Sequence, residues 1–178
     1  MTNQILFAGF GGQGILFSGK FLAYEGLLAD KEVSWLPSYG PEMRGGTANC
    51  SVIISDTKIG SPIVTEPDML IAMNLPSLDK YENDTAKGGK IFVDSSLISK
   101  KVERNDVEAY YIPATSLASE NELSGLANMI MLGYVIKKTG IMPIENIDRA
   151  LAKVVSARKQ NLLDANKKAL ELGYNYAE

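Results

Sequence analysis

Apolar and polar positions along the chain follow two alternating periods. Gln4-Ile5-Leu6-Phe7-Ala8 is a short, mostly apolar run ending at Gly9, which predicts a buried strand. After a glycine-rich stretch, Ile15 to about Ala29 is nearly free of charge, with Leu16, Ala23 and Leu27 on one face. This predicts a largely buried helix, ended by Asp30-Lys31. Glu32–Leu36 predicts a second strand stopped by Pro37, and 38–46 reads as a loop carrying Gly40-Pro41 and Gly45-Gly46. Thr47–Ser55 is β-branched and alternating, a third strand. Asp68–Met73, Lys90–Asp94 and Val107–Ile112 predict three more. Pro76 opens a helix with Leu75, Leu78 and Tyr81 toward the core. From Thr115 the spacing is helical: Leu126, Met129, Ile130, Gly133 and Ile136 share a face. Lys137-Lys138 occupy the last turn and Gly140 terminates it. Pro143 opens a helix with Ile144, Ile147, Leu151, Val154 and Val155 inward. Ala157 to Leu172 predicts a final amphipathic helix with Leu162, Ala169 and Leu172 on its inner side.

Strands alternating with helices predict a single α/β domain over residues 1–178, a three-layer α/β/α arrangement with a mostly parallel sheet. The glycine-rich loop belongs at the carboxyl end of the first strand. Thr47–Ser55 follows its predecessor without a helix between them, so the sheet is expected to be mixed. A chain of 178 residues buries about 70% of its unfolded surface and needs no covalent staple.

Composition then narrows the function. Eighteen Lys and Arg against 21 Asp and Glu give net −3, which excludes a broadly basic nucleic-acid binder. No apolar run approaches the roughly 18–20 residues that span a bilayer, so no membrane partner is expected. The absence of histidine excludes a His base, a His-activated nucleophile and a His-ligated metal. The single cysteine, Cys50, cannot form an intrachain disulfide or hold an iron–sulfur cluster. Met1-Thr2-Asn3-Gln4 places no positive charge before the first apolar run, so the chain does not read as secreted, and a cytoplasmic location is expected.

Gly9, Gly11 and Gly14 satisfy G-x-G-x-x-G between a strand and a helix, the context of a dinucleotide-binding loop. Glycines there permit a tight turn and close backbone approach, and the helix N-terminus attracts anions. The acid that should close the second strand and hold a ribose is missing, since that strand ends Trp35-Leu36-Pro37-Ser38. Three readings stay open: turn geometry and packing, an anion contact, or true dinucleotide binding.

Val33 to Ser55 carries only two charges, Glu42 and Arg44, together with Trp35, Tyr39, Met43, Gly40, Gly45 and Gly46. Surface loops are normally polar, and this composition matches a protein–protein interface core. The alternative is packing of Trp35 and Met43 into the domain. Cys50, in an apolar strand, reads as an inert core thiol. Asp94-Ser95-Ser96 follows a strand where ligands bind in open α/β sheets, though Ser95 or Ser96 capping a short turn is favoured. Met129–Leu132 reads as core.

Gly9-Phe10-Gly11-Gly12-Gln13-Gly14 resembles the opening of the gamma component of 2-oxoacid:ferredoxin oxidoreductases. Ser38-Tyr39-Gly40-Pro41-Glu42-Met43-Arg44-Gly45-Gly46 is similar to that family's second signature. Asn74-Leu75-Pro76-Ser77 and Asn128–Gly133 sit where related segments are expected, and the resemblance covers essentially the whole chain.

The resemblance implies a complex that decarboxylates a 2-oxoacid with thiamine diphosphate and Mg, passes electrons through iron–sulfur clusters to ferredoxin, and traps the acyl group on coenzyme A. It implies that the gamma piece binds none of these cofactors, has no catalytic residue or metal ligand, and is inactive alone. It serves assembly beside alpha, beta and ferredoxin-like delta subunits, and borders the coenzyme A site. The Tyr-Gly-Pro-Glu-Met-Arg-Gly-Gly wording favours the 2-oxoglutarate or branched-chain type. The resemblance further leads us to expect Gly9, Gly11, Gly12, Gln13 and Gly14 as an anion or coenzyme A contact. Tyr39, Pro41, Glu42, Met43, Arg44, Gly45 and Gly46 are expected to form a subunit-interface loop, with a homodimer when the chain is isolated. The competing class is a self-sufficient nucleotide-binding oxidoreductase of Rossmann type, with a free anion-binding regulatory protein a weaker third.

Overall fold

The computed structural model describes residues 1–39, 47–155 and 161–177. The strands are β1 (Thr2–Phe10), β2 (Glu32–Tyr39), β3 (Thr47–Ser55), β4 (Met69–Ala72), β5 (Lys90–Asp94) and β6 (Glu108–Ile112). They form one sheet in the order β2-β3-β1-β4-β5-β6. β1, β4, β5 and β6 pair in parallel, while β3 is antiparallel to both β1 and β2. A short β2–β3 connection can only reverse the chain, so the sheet is mixed as expected.

The helices are α1 (Ile15–Leu28), α2 (Leu75–Tyr81), α3 (Ala114–Glu120), α4 (Ala127–Thr139), α5 (Ile147–Val154) and α6 (Asn161–Tyr174). Side chains alternate across β1: Ile5 and Phe7 enter the larger core, Leu6 and Ala8 the smaller. The larger core is shared with α1, α3, α4, α5 and α6. The smaller is closed by Leu78 of α2 and by Ile98, Val102 and Val107 of the β5–β6 connection. The domain thus has three layers of unequal thickness. The thin layer is tied down by buried Glu82, whose carboxylate accepts the Glu103 N–H at 2.6 Å, and by Arg104, which donates to the Glu82 carbonyl at 3.0 Å.

α4 is apolar all round because it lies between other elements, and every residue from Asn128 to Ile136 is buried. It crosses α6 at Gly133 and Gly173, where a β-carbon on either glycine would collide with a backbone carbonyl of the other helix.

Several expectations are corrected. β2 does not stop at Pro37 but runs to Tyr39, with Pro37 opposite Cys50. β2 is an edge strand, where a residue lacking an N–H is tolerated. Ala23 of α1 is buried as expected, but Leu27 is 53% exposed, and the inner face also runs through Ile15, Ser18, Gly19, Leu22 and Gly26. Gly19 and Gly26 let the helix lie against Cys50 and Val33, so small residues hold the inner positions where a hydrophobicity ranking looks for leucine. Leu75 and Leu162 are exposed rather than inward. Helical structure after Thr115 is broken between α3 and α4, where Glu122 and Gly125 have positive φ. A 3-10 turn, Ile144–Asn146, follows Pro143 before α5 begins. The predicted start of the last helix, 157–160, lies outside the described residues.

Candidate functional site at the carboxyl edge of the sheet

β1 is followed by α1 on the thick side of the sheet, and its neighbour β4 by α2 on the thin side. The chain therefore departs in opposite directions from two adjacent parallel strands, leaving a crevice outside their carboxyl ends. Gly11-Gly12-Gln13-Gly14 fills the turn from β1 to α1 at this point. Gly12 (φ +100°) is exposed, and Gly14 (φ +73°) is the N-terminal flanking residue of α1. Both φ values favour glycine, which has no β-carbon.

Gln13 locks the loop. Its Oε1 accepts the Phe10 N–H at 2.6 Å and its Nε2 donates to the Met73 carbonyl at 2.9 Å, so one side chain joins the ends of β1 and β4. Gly9 makes room for it: a β-carbon there would sit 2.6 Å from Gln13 Oε1. Asn128, at the start of α4, donates from Nδ2 to the Gly14 carbonyl (3.1 Å) and to Ser18 Oγ (2.9 Å). Asn74 accepts the Ser77 N–H at 2.8 Å and caps α2. Asn128 Oδ1 and Asn74 Nδ2 are buried without a hydrogen-bond partner among the described residues.

Asp94 is fully buried at the end of β5. Its carboxylate accepts the Ser96 N–H at 3.1 Å and the Thr115 hydroxyl, and Ser96 Oγ accepts the Ser116 N–H at 3.0 Å. The expected cap is present, but it closes the first turn of α3 rather than a turn of its own.

A cleft of about 380 Å³ opens beside the loop. Gly12, Gln13, Met73, Leu97, Thr115 and Ser119 contribute to its wall, and none of the described side chains lining it is charged. It offers amide and hydroxyl hydrogen bonds and apolar surface, without a titratable group among the described residues that line it. A larger cavity of about 420 Å³, lined by Lys31, Asp56, Asp68, Lys87 and Lys90, lies at the opposite edge, away from both sequence signatures.

The second signature meets the first here. Phe10 is opposite Thr47 and Gly9 is opposite Ala48, while Tyr39 pairs with Ala48 from the other side. The strands bounding 40–46 therefore end next to the glycine loop. Pro41, Glu42, Met43, Arg44, Gly45 and Gly46 themselves, and the Tyr39 side chain, lie outside the described residues. Trp35 is partly buried against the larger core.

The dinucleotide reading fails on topology. The strand beside β1 where a ribose-binding acid would sit is antiparallel β3, which begins rather than ends at this edge. Cys50 is fully buried, and burial pushes its thiol up to about 12, the behaviour of a core residue and not of a cluster ligand. The amides of Asn74 and Asn128 carry much of the site's local order, yet sequence reading gave them no individual role. For Asn74 a signal existed: Asn before Leu-Pro-Ser has the spacing of a helix cap.

The chain is 40% identical over 175 residues to ketoisovalerate oxidoreductase subunit VorA of Methanothermobacter thermautotrophicus, covering 98% of this chain but 36% of VorA, so it spans about a third of that relative's length. It is 39% identical over 183 residues to 2-oxoglutarate synthase subunit KorC of Methanocaldococcus jannaschii, covering all of this chain and 95% of KorC. The gamma subunit of keto/oxoacid ferredoxin oxidoreductase from Geobacter sulfurreducens superposes with a TM-score of 0.84 at 30% identity, over 98% of this chain and 95% of that one. No helix among the described residues is long and apolar enough to cross a membrane. With residues 4–176 matching its model, the chain belongs to the pyruvate ferredoxin/flavodoxin oxidoreductase family.

Proposed function

We propose that this chain is the gamma subunit of a 2-oxoacid:ferredoxin oxidoreductase, with 2-oxoglutarate the favoured substrate. The observation that carries the reading is the end-to-end match to KorC, a separate subunit of this size. In the assembled enzyme, alpha, beta and delta subunits hold thiamine diphosphate, Mg and the iron–sulfur clusters, and electrons leave to ferredoxin as the acyl group passes to coenzyme A. This chain supplies shape. Its carboxyl edge is ordered by amide hydrogen bonds and, among the described residues, presents no titratable cleft group, which suits assembly rather than chemistry. The test is reconstitution: complex lacking gamma, then with this chain added, assayed for 2-oxoglutarate- and coenzyme A-dependent ferredoxin reduction. Activity is expected only in the complete complex. Turnover by the isolated chain, or no change on adding it, overturns the reading.

Residues 39–46 form the subunit-interface loop in this proposal. Tyr39→Ala and Arg44→Ala each weaken assembly by about 30-fold, the scale of an interface anchor. The melting temperature of the isolated chain stays within about 2 °C. Early melting with wild-type assembly would instead make the loop part of the core.

A second reading gives the glycine loop a coenzyme A phosphate. It is favoured by the N-terminus of α1, where Gly14 supplies no side-chain cap to the first-turn N–H groups. A Gly11→Val or Gly14→Val variant that folds and assembles yet loses coenzyme A turnover would establish it.

A further inference from the structure

The register of the sheet fixes which way each backbone group of the outermost strand, β2, points. The Ala8 carbonyl accepts the Met73 N–H at 2.9 Å, so the even residues of β1 turn their backbone groups toward β4. Its odd residues turn toward β3, and the Met1 carbonyl accordingly accepts the Asp56 N–H at 3.0 Å. With Phe7 opposite Cys50, the even residues of β3 bond to β1 and its odd residues to β2. With Ser51 opposite Leu36, the even residues of β2 bond to β3, and Val33, Trp35, Pro37 and Tyr39 turn outward. Pro37 therefore costs the sheet no hydrogen bond. Val33 and Trp35 each present an N–H and a carbonyl on the open side, and no backbone group among the described residues bonds to them. Residues 33–39 carry no charge, and a long uncharged outer strand is a template for a further strand. β6, on the opposite side of the sheet, turns only Ala109 and Tyr111 outward.

We propose that Pro37 guards this strand: it stops a second copy of the chain from laying its own β2 antiparallel beside the first and extending the sheet. Charge does not prevent that pairing. About a two-fold axis at Trp35, the one charged residue of the strand, Glu32, meets Ser38 of the other copy, and no like charges oppose. Trp35 meets Trp35 and exchanges two bonds, and Val33 of one copy meets Pro37 of the other. The Val33 N–H can then donate to the Pro37 carbonyl, but Pro37 has no N–H to return. By symmetry the loss occurs twice, and two Val33 carbonyls are taken from water without a donor. The proline ring carbon Cδ also stands where the missing proton would point and holds the two strands apart. A single residue thus leaves the inner ladder of β2 intact and closes its outer one.

The experiment returns the N–H and measures self-association of the isolated chain by sedimentation over a range of concentrations, with deuterium exchange of individual amides. Pro37→Val restores the donor in a residue that suits a strand. Two regained hydrogen bonds of ordinary strength should tighten self-association by about tenfold or more over wild type. The Val33 and Trp35 amides should exchange slowly in the associated fraction and freely in the unassociated one. Adding Leu36→Lys to Pro37→Val, at a position 40% exposed, should return self-association to the wild-type level, because charge then guards the strand in place of proline. Pro37→Ala supplies the same N–H with a smaller side chain and should move self-association in the same direction, which separates the effect of the donor from any crowding by valine. Wild-type self-association in both proline variants overturns the proposal. So does tighter association in which the Val33 and Trp35 amides still exchange freely, because the contact then lies elsewhere. Failure of both variants to fold also overturns it, since Pro37 would then serve the chain's own fold and not its outer side.

Discussion

The two edges of the sheet are ordered by different forces. At the carboxyl edge the backbone is pinned by uncharged amides, Gln13, Asn74 and Asn128, and by buried Asp94, which accepts from Ser96 and Thr115. At the amino edge, ion pairs open to water do the corresponding work: Lys31 with Asp56 and Lys90 with Glu108. Neutral buried hydrogen bonds are costly to break because a desolvated group is left unpaired, whereas exposed ion pairs are partly replaced by water. The carboxyl edge should therefore be rigid and intolerant of substitution, the amino edge forgiving.

The largest effect is expected where the carboxyl edge is tightest. A β-carbon on Gly14 would lie 2.5 Å from Asn128 Nδ2, and φ there is +73°. Valine adds backbone strain of about 1–2 kcal/mol and overpacking of about 1–3 kcal/mol. Gly14→Val should thus lose about 3 kcal/mol, near 10 °C in melting temperature for a domain this size. Gly12→Ala, at φ +100° with open space around it, should carry only the backbone part. Thermal melts of the pair separate strain from crowding. Equal losses would mean that the Asn128 contact is not what tightens this edge.

The amino side breaks its own pattern once. Glu25 lies in the second half of α1, which ends near that edge. It is 1% exposed, and both carboxylate oxygens lack a hydrogen-bond partner among the described residues. Burial pushes its carboxyl up from 4.5 to about 7. The folded chain then holds a proton that the unfolded chain has released, so stability falls as pH rises from about 4.5 to about 7 and levels off above. The slope is at most about 1.4 kcal/mol per pH unit. Glu25→Gln should gain on wild type across that window and match it near pH 4. A constant difference at all pH values would show that packing, not ionisation, governs the site.

How much of this was legible in the sequence depends on which force acts. The strands, the mixed sheet and the place of the glycine loop follow from period and from the missing helix between β2 and β3. The inner face of α1 was misread at Leu27 because glycine and serine occupy much of it, and their contribution is close approach, which no hydrophobicity pattern records. The Gln13 staple was invisible for another reason: the side chain reaches from β1 to the Met73 carbonyl, and that proximity exists only once β4 lies beside β1. Pro37 misled by obeying a rule for interior strands on a strand that proved to be an edge.

The smallest effect is expected at Asp56, and it gives the comparison its lower bound. The hydrogen bond from Lys31, and then that from the Met1 amino group, hold the Asp56 carboxyl down at about 2, below its ordinary 3.8. A depressed carboxyl contributes stability above its unfolded value and loses it as pH falls through the folded one, here between about 4 and about 2. Near neutrality the contribution is fully present but small, because Asp56 is 45% and Lys31 39% exposed and salt screens the pair. Asp56→Asn should therefore shift the melting temperature by about 1 °C or less in dilute buffer, and by nothing measurable in about 1 M salt, where the screening length is roughly 3 Å. A loss that persists at high salt would mean that Asp56 orders the β3–β4 turn through uncharged hydrogen bonds, and the amino edge would then be held as the carboxyl edge is.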